Sequence, residues 1–187
     1  MGSFKKLSSD GNVLHLTFRS SVDLYISEAW GTEAPNSREN LQQFIERQNS
    51  SCCSISHTPG MGGVLFSSSF CGFDIECTDR VSEKIAQRVS SSEEWESFLT
   101  TQQSPSYLWC AKESAWKSLR GRGQPSTISE VGLKWSSFSE SFDFEFSFFC
   151  FEIESVKGQK LCSLGKGVVF EHEHFTLSLV APHVGAP

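Results

Sequence analysis

Apolar and polar positions alternate through the first part of the chain. Leu14-His15-Leu16-Thr17-Phe18 and Val22-Asp23-Leu24-Tyr25-Ile26 each set every second side chain on one apolar face, and a short polar link joins them, which predicts the two strands of a hairpin. The pattern then slows to the helical period. Leu41, Phe44 and Ile45 form a stripe behind Asn36, an N-cap with Glu39 three positions later, so 37–48 reads as an amphipathic helix. Three extended pieces follow, Cys52 to Ser56, Gly63 to Ser68 and Phe70 to Glu76, with Pro59-Gly60 and Gly62-Gly63 as turn signals between the first two. From Arg80 the period is helical again, with Val81, Ile85 and Val89 on one stripe. Ser91 and Glu94 then read as a capping box that starts a second helix through Trp95 and Phe98. A third helix is expected over 105–120, opened by Pro105 and ended by Gly121-Arg122-Gly123. The remainder reads as strand: Leu133 to Phe138, the alternation of Phe142, Phe144, Phe146 and Phe148, and Val168 to Val180. Strands on both sides of a helical stretch make the chain α+β.

Composition narrows the class. The 187 residues include 16 Phe and 5 Trp, enough apolar surface for a packed core without cross-links. A net charge of −6 argues against a chain whose main work is neutralising nucleic-acid phosphates or an anionic membrane, so any anionic ligand must meet a local basic patch. Seven cysteines, Cys52, Cys53, Cys71, Cys77, Cys110, Cys150 and Cys162, form no CxxC pair and are odd in number, which indicates a reducing, cytoplasmic setting rather than a disulfide framework. No stretch approaches the ~20 apolar residues of a spanning helix, and the start lacks the apolar run of a signal segment.

Three segments can carry chemistry. In Gly72-Phe73-Asp74-Ile75-Glu76 a strand would put Asp74 and Glu76 on one face, about 7 Å apart, with Phe73 and Ile75 buried behind them. Two carboxylates so placed repel unless a hard cation such as Mg²⁺ offsets them; the same pattern also suits a solvated strand face. In Trp109-Cys110-Ala111-Lys112-Glu113-Ser114-Ala115-Trp116-Lys117 a helix would stack Trp109, Glu113 and Lys117 at i, i+4 and i+8, with Lys112 beside them. That stripe is either a surface ion pair of ~0.3–0.5 kcal/mol or, given the bulky Trp109, a cleft-facing base and cation. Ser54-Ile55-Ser56-His57-Thr58 ends a strand before a Pro-Gly turn, where Ser56 and His57 could meet a phosphate. The run Glu171-His172-Glu173-His174 puts two imidazoles on one strand face, but two ligands do not complete a metal site, and a polar strand edge accounts for it.

Taken in order, these segments resemble the 4′-phosphopantetheinyl transferase superfamily, in its two-lobed, surfactin-synthetase-activator-like form: a Ser-His strand end, a G-F-D-I-E strand, a W-x-x-K-E-x-x-x-K helix, and a closing Gly121-Arg122-Gly123, together covering Ser54 to Gly123. The resemblance implies transfer of the phosphopantetheine arm of coenzyme A to a serine of an acyl or peptidyl carrier protein, with release of 3′,5′-ADP. It implies Mg²⁺ held by Asp74, Glu76 and Glu113, with Glu113 as base toward the carrier serine, directly or through water. Lys117 and Lys112 would contact phosphate oxygens, and Ser56 and His57 the 3′-phosphate. The fold it implies is two pseudo-twofold-related lobes, each a small, mostly antiparallel sheet on helices. The first would cover 1–69 and the second, carrying the motifs, 70–187, with coenzyme A between them. A monomer is expected, with no nucleic-acid or membrane partner. The pathway served, fatty acid, polyketide or nonribosomal peptide synthesis, stays open.

Arg80, Lys84 and Arg88 fall at i, i+4 and i+8 and are the expected docking row for an acidic carrier, or else a helix solvated by its own charges. The first lobe lacks the Gly-Lys-Pro segment and basic cluster usual in two-lobed members. Arg38 is the candidate for the missing phosphate contact, with Arg47 an equal choice. Two other classes are compatible: a non-catalytic relative that binds coenzyme A or a carrier protein, and a Mg²⁺-dependent phosphodiester hydrolase using the same carboxylates.

Overall fold

The computed structural model describes residues 13–18, 22–48, 50, 52–136, 148–160 and 165–182. The expected strand alternation at Phe142, Phe144 and Phe146, and the end of the piece reaching Phe138, lie outside the described residues, as does Cys162.

The first sheet is antiparallel and built from β1 (Val13–Phe18), β2 (Val22–Ser27), β3 (Cys52–Thr58) and β4 (Met61–Ser67) in the order β1-β2-β4-β3. The expected hairpin is present, with Leu16 opposite Leu24. Between β2 and β3 lies α1 (Ser37–Glu46), whose N-cap Asn36 enters in the left-handed conformation (φ 54°) rather than through a side-chain cap. Gly62 and Gly63, read from the sequence as turn residues, instead lie inside β4. A Cβ at Gly62 would overlap the carbonyl of Trp30, which ends the 3₁₀ turn Glu28–Trp30 after β2, so this glycine lets that turn lie against β4; the hairpin turn itself is at Gly60, φ 81°.

The second sheet holds β5 (Gly72–Cys77), β6 (Val131–Ser136), β7 (Phe149–Val156), β8 (Gln159–Lys160), β9 (Lys166–His172) and β10 (Phe175–Val180), ordered β5-β10-β9-β7-β6 with β8 against β7. Three helices connect β5 to β6: α2 (Glu83–Arg88), α3 (Ser92–Leu99) and α4 (Pro105–Ser118). The architecture is thus α+β, two antiparallel sheets packed with helices, as expected for two lobes. Among the described residues the units are unequal, since one α-helix serves the first sheet and three serve the second.

The sheets share one core. Leu16, Leu24, Ile26 and Leu65 of the first pack with Phe73, Ile75, Phe170, Leu177 and Leu179 of the second, all nearly inaccessible to solvent. Alternation along the same strands sends Val64 and Phe66 to the opposite face, where α1 covers them with Leu41 and Phe44. On the second sheet α4 packs through small residues at helical spacing. Ser106 bonds Thr176 (2.8 Å) and Ser114 bonds Ser178 (2.7 Å), while the Cys110 thiol donates to the Thr176 carbonyl (3.5 Å). Small side chains let helix and strand approach so closely that a Cβ at Gly72 would overlap the Ser114 carbonyl. This contact brings Asp74 of β5 beside the Glu113 and Lys117 turns of α4.

Candidate active site

β3 and β5 are edge strands of different sheets, and hydroxyls bridge them. Ser54, Ser56 and Thr58 occupy alternate positions of β3 and so share a face. Ser54 Oγ accepts from the Phe73 amide (2.9 Å), Ser56 Oγ donates to Asp74 Oδ1 (2.8 Å), and Thr58 Oγ1 donates to Glu76 Oε2 (3.1 Å). Sequence reasoning named Ser56 alone of the three; the period-2 spacing of hydroxyls was the signal that could have found Ser54 and Thr58.

Asp74 is 4% exposed and sits at the centre. Lys117 Nζ donates to its Oδ1 at 2.7 Å and also to the Phe73 carbonyl (3.1 Å) and Ser56 Oγ (3.2 Å), so all three ammonium donors have partners. Asp74 Oδ2, although buried, has no hydrogen-bond partner. Glu113 lies one turn before Lys117. Burial pushes its carboxyl up, the charges of Asp74 and Glu76 push it further, and Lys117 opposes them. Glu76 is raised by burial and then by Asp74, against the Thr58 hydrogen bond and the cations of Arg80 and Lys117. The Cys110 thiol is pushed well up, by burial first and then by the charges of Asp74 and Glu76.

Asp74, Glu76 and Glu113 therefore share one electrostatic neighbourhood that Lys117 and, at Glu76, Arg80 only partly offset. Among the described residues no three His, Cys, Asp or Glu side chains stand together as a ready-made metal cage, so the expected three-carboxylate ligand set is not preassembled. The donor chemistry nevertheless suits a hard divalent cation: all three are oxygen donors, and one buried carboxylate oxygen lacks any partner.

Several expectations need correction. Lys112 does not face the cleft. It is fully buried, its ammonium donating to Glu94 Oε2 (2.7 Å) and to the Val131 carbonyl, while Glu94 Oε1 accepts from the Leu133 amide (2.9 Å). Burial lowers Lys112 and raises Glu94, and each partner opposes the shift in the other. Lys112 therefore ties α4 to α3 and β6 and cannot reach a phosphate. Glu94, expected to close a capping box, serves the box and this pair together: the Ser91 hydroxyl accepts from the Glu94 amide, and the Glu94 carboxylate meets the Ser91 backbone as well as Lys112. The basic row is also broken. Arg80 ends a 3₁₀ turn (Thr78–Arg80) and points to Glu76 (3.3 Å) and Thr58 (3.4 Å), whereas Lys84 and Arg88 are exposed on α2, which starts only at Glu83. The apolar stripe shifts with it: Ala86 is buried and Ile85 is exposed.

His57 alternates with Ser56 and lies across the strand from it, exposed, on the α1 side of the sheet, so the two do not converge on one group. Arg38 and Arg47 are exposed at α1, on the face of the first sheet turned away from the second. Trp109 packs beside Val81, Phe98 and Tyr107 rather than lining the seam. Glu171 and His172 end β9, paired with Thr176 and Phe175 of β10, and Glu173 and His174 make the turn between the two strands, with Glu173 in the left-handed conformation (φ 56°). No helix among the described residues is long and apolar enough to cross a membrane.

One cleft adjoins the cluster. It has a volume of about 530 Å³ and opens beyond the C-terminal end of α4, with Cys52, Phe70, Cys71, Lys117, Arg120 and Arg122 among its walls. The Arg122 guanidinium sits 4.0 Å from the centre of the Phe70 ring.

A family model described as the 4′-phosphopantetheinyl transferase superfamily matches residues 70–169. The match exceeds half of the 187 residues and contains Asp74, Glu76, Glu113 and Lys117, while β1 to β4 lie outside it. Among curated proteins none matches the chain.

Proposed function

The chain belongs to the 4′-phosphopantetheinyl transferase superfamily, and on that premise we propose that it is an active transferase, moving the phosphopantetheine arm of coenzyme A to a serine hydroxyl of an acyl or peptidyl carrier protein. The observation that carries this reading is the placement of Glu113, raised by burial and like charges, beside Asp74 with its unpartnered Oδ2.

In this reading Glu113 takes the proton from the carrier serine Oγ. The serine oxygen forms a bond to the β-phosphorus of coenzyme A, and the bond to the bridging oxygen breaks, releasing 3′,5′-ADP. A carboxyl raised above its ordinary value is the better base near neutral pH. Lys117, partly open to the seam, shifts from Ser56 to a phosphate oxygen and steadies the charge on the leaving group. Ser56 keeps Asp74 Oδ1 oriented. Asp74, Glu76 and Glu113 would hold Mg²⁺, which when bound supplies charge neutralisation at the pyrophosphate. The division of the chain falls between Ser69 and Phe70, and the protein acts as a cytoplasmic monomer.

Incubating the chain with coenzyme A, Mg²⁺ and a panel of apo carrier proteins, and then weighing the carriers, tests the reading. Gain of one phosphopantetheine mass supports it. Coenzyme A binding without mass gain indicates a non-catalytic relative, and coenzyme A cleavage without carrier indicates a hydrolase. Glu113→Gln should lower kcat by on the order of 10²–10⁴-fold; a native rate in that variant sinks the assigned base.

A further inference from the structure

We propose that Cys52 and Cys71 are a dithiol that a peroxide oxidises to an intramolecular disulfide, tying β3 of the first sheet to the start of β5 in the second. This site does not depend on the transferase reading.

The two sulfurs lie 3.4 Å apart although the residues are 19 positions apart in the chain. Cys52 opens β3 and Cys71 immediately precedes β5, so both stand at element ends, where a small adjustment brings sulfur to the bonding distance of about 2.0 Å. Alternation along β3 puts Cys52 on the same face as Ser54, Ser56 and Thr58. Those three hydroxyls bond Phe73, Asp74 and Glu76 across the seam, so the cysteines make the first rung of the same ladder, the rung whose chemistry allows a covalent bond. Other thiols near the seam face oxygen instead: Cys77 the Pro59 carbonyl (3.7 Å) and Cys110 the Thr176 carbonyl (3.5 Å). Among the described residues no third His, Cys, Asp or Glu joins the pair as a metal cage, so it is a dithiol rather than a metal site.

The two thiols are unequally placed, which orders the oxidation. Cys52 is half-buried, on an edge strand at the wall of the open cleft, whereas Cys71 is 5% exposed. Burial first, and then Cys52, pushes the Cys71 thiol well up, and its S–H donates to the Leu65 carbonyl (3.7 Å), so it keeps its proton until its partner has reacted. Peroxide therefore meets Cys52 first: the Cys52 sulfur takes one peroxide oxygen, giving a sulfenic acid and one water. The Cys71 sulfur then attacks the Cys52 sulfur. The S–S bond forms, the S–O bond breaks, and the hydroxide released leaves as water with the Cys71 proton. Two thiols are oxidised and one peroxide is reduced to two waters. Arg120, whose charge opposes the rise at Cys71, favours the thiolate character that this second step needs.

The test treats the full chain with hydrogen peroxide, alkylates it in denaturant and cleaves it with chymotrypsin without reduction, since Phe66 and Phe70 lie between the two cysteines and no Lys or Arg does. A cross-linked Cys52–Cys71 peptide, lighter by two hydrogens than its reduced halves and released by dithiothreitol, is expected in wild type and in Cys53→Ser. The oxidised protein should also melt several degrees above the reduced one, because the bond closes a loop in the unfolded chain. Cys52→Ser should abolish both the peptide and the shift. Neither readout requires replacing the buried Cys71. Wild type and Cys53→Ser in which Cys71 stays fully alkylated overturn the proposal, as does a disulfide that uses Cys53 in place of Cys52 or joins two chains.

Discussion

Lys117 Nζ and Asp74 Oδ1 meet at 2.7 Å across the contact between α4 and β5, and the second oxygen of the same carboxylate is buried with no partner. Lys117 and Ser56 hold one oxygen of this carboxylate and leave the other, with the Cys110 thiol of α4 near the group, suited to a hard cation. Mg²⁺ should therefore raise the thermal midpoint of the wild-type protein, by mass action on the order of 2.7 kcal/mol at 100-fold excess over Kd. Asp74→Asn should remove that response. An equal Mg²⁺-dependent rise in the variant, followed by calorimetry, would show that the ion binds elsewhere.

Lys112 makes a different prediction from the neighbouring lysine. Because its ammonium is enclosed with Glu94 and the Val131 carbonyl, Lys112→Met should cost about 3–5 kcal/mol in denaturant unfolding by stranding a buried carboxylate. Adding Glu94→Gln, which removes the stranded charge and keeps an acceptor for the Leu133 amide, should recover part of the loss. The folded fraction of Lys112→Met should bind coenzyme A as wild type does. A stable variant with weakened coenzyme A binding would contradict the buried pair.

Glu76 and Glu113 are both raised, first by burial and then by Asp74. A carboxyl whose folded-state pKa lies above its unfolded one takes up a proton on folding. Its contribution is complete below the ordinary carboxylate value and is lost as pH rises through the raised value. The metal-free protein should therefore gain stability as pH falls from 7 through that window. Glu113→Gln, uncharged throughout, should gain less; Glu94 and Glu171, also raised, contribute equally to both and cancel in the comparison. Melting curves in chelator across this range check it, and identical pH profiles would refute the shared-charge description.

Lys84 and Arg88 remain the exposed pair on α2, whereas Arg80 is drawn toward Glu76. We expect Lys84→Glu with Arg88→Glu to raise the KM for an acidic carrier protein several-fold and to leave the KM for coenzyme A unchanged. Steady-state kinetics varying one substrate at a time decides this. If neither constant moves, α2 is only a solvated helix.

Much of this molecule was local information. The Leu16 and Leu24 alternation, the Pro105 start of α4 with its end before Gly121, and the pairing of Asp74 with Glu76 all follow from periods and caps that involve residues a few positions apart. The motif order was likewise legible, since each segment is continuous in the chain. What only the tertiary structure decided is where equivalent side chains go. Lys112 and Lys117 are five residues apart on one helix, about 140° around its axis at 3.6 residues per turn. Nothing in their chemistry says which enters the core. Glu94 of α3 and the Val131 carbonyl of β6 take Lys112, while Asp74 of β5 and Ser56 of β3 take Lys117. The same holds for Arg120 and Arg122, which read as a helix end in the sequence and become one wall of a cleft only when β3 of the other sheet comes against them. Charge placement is set by packing between distant segments, because the cost of burying an ion depends on what surrounds it and not on its neighbours along the chain.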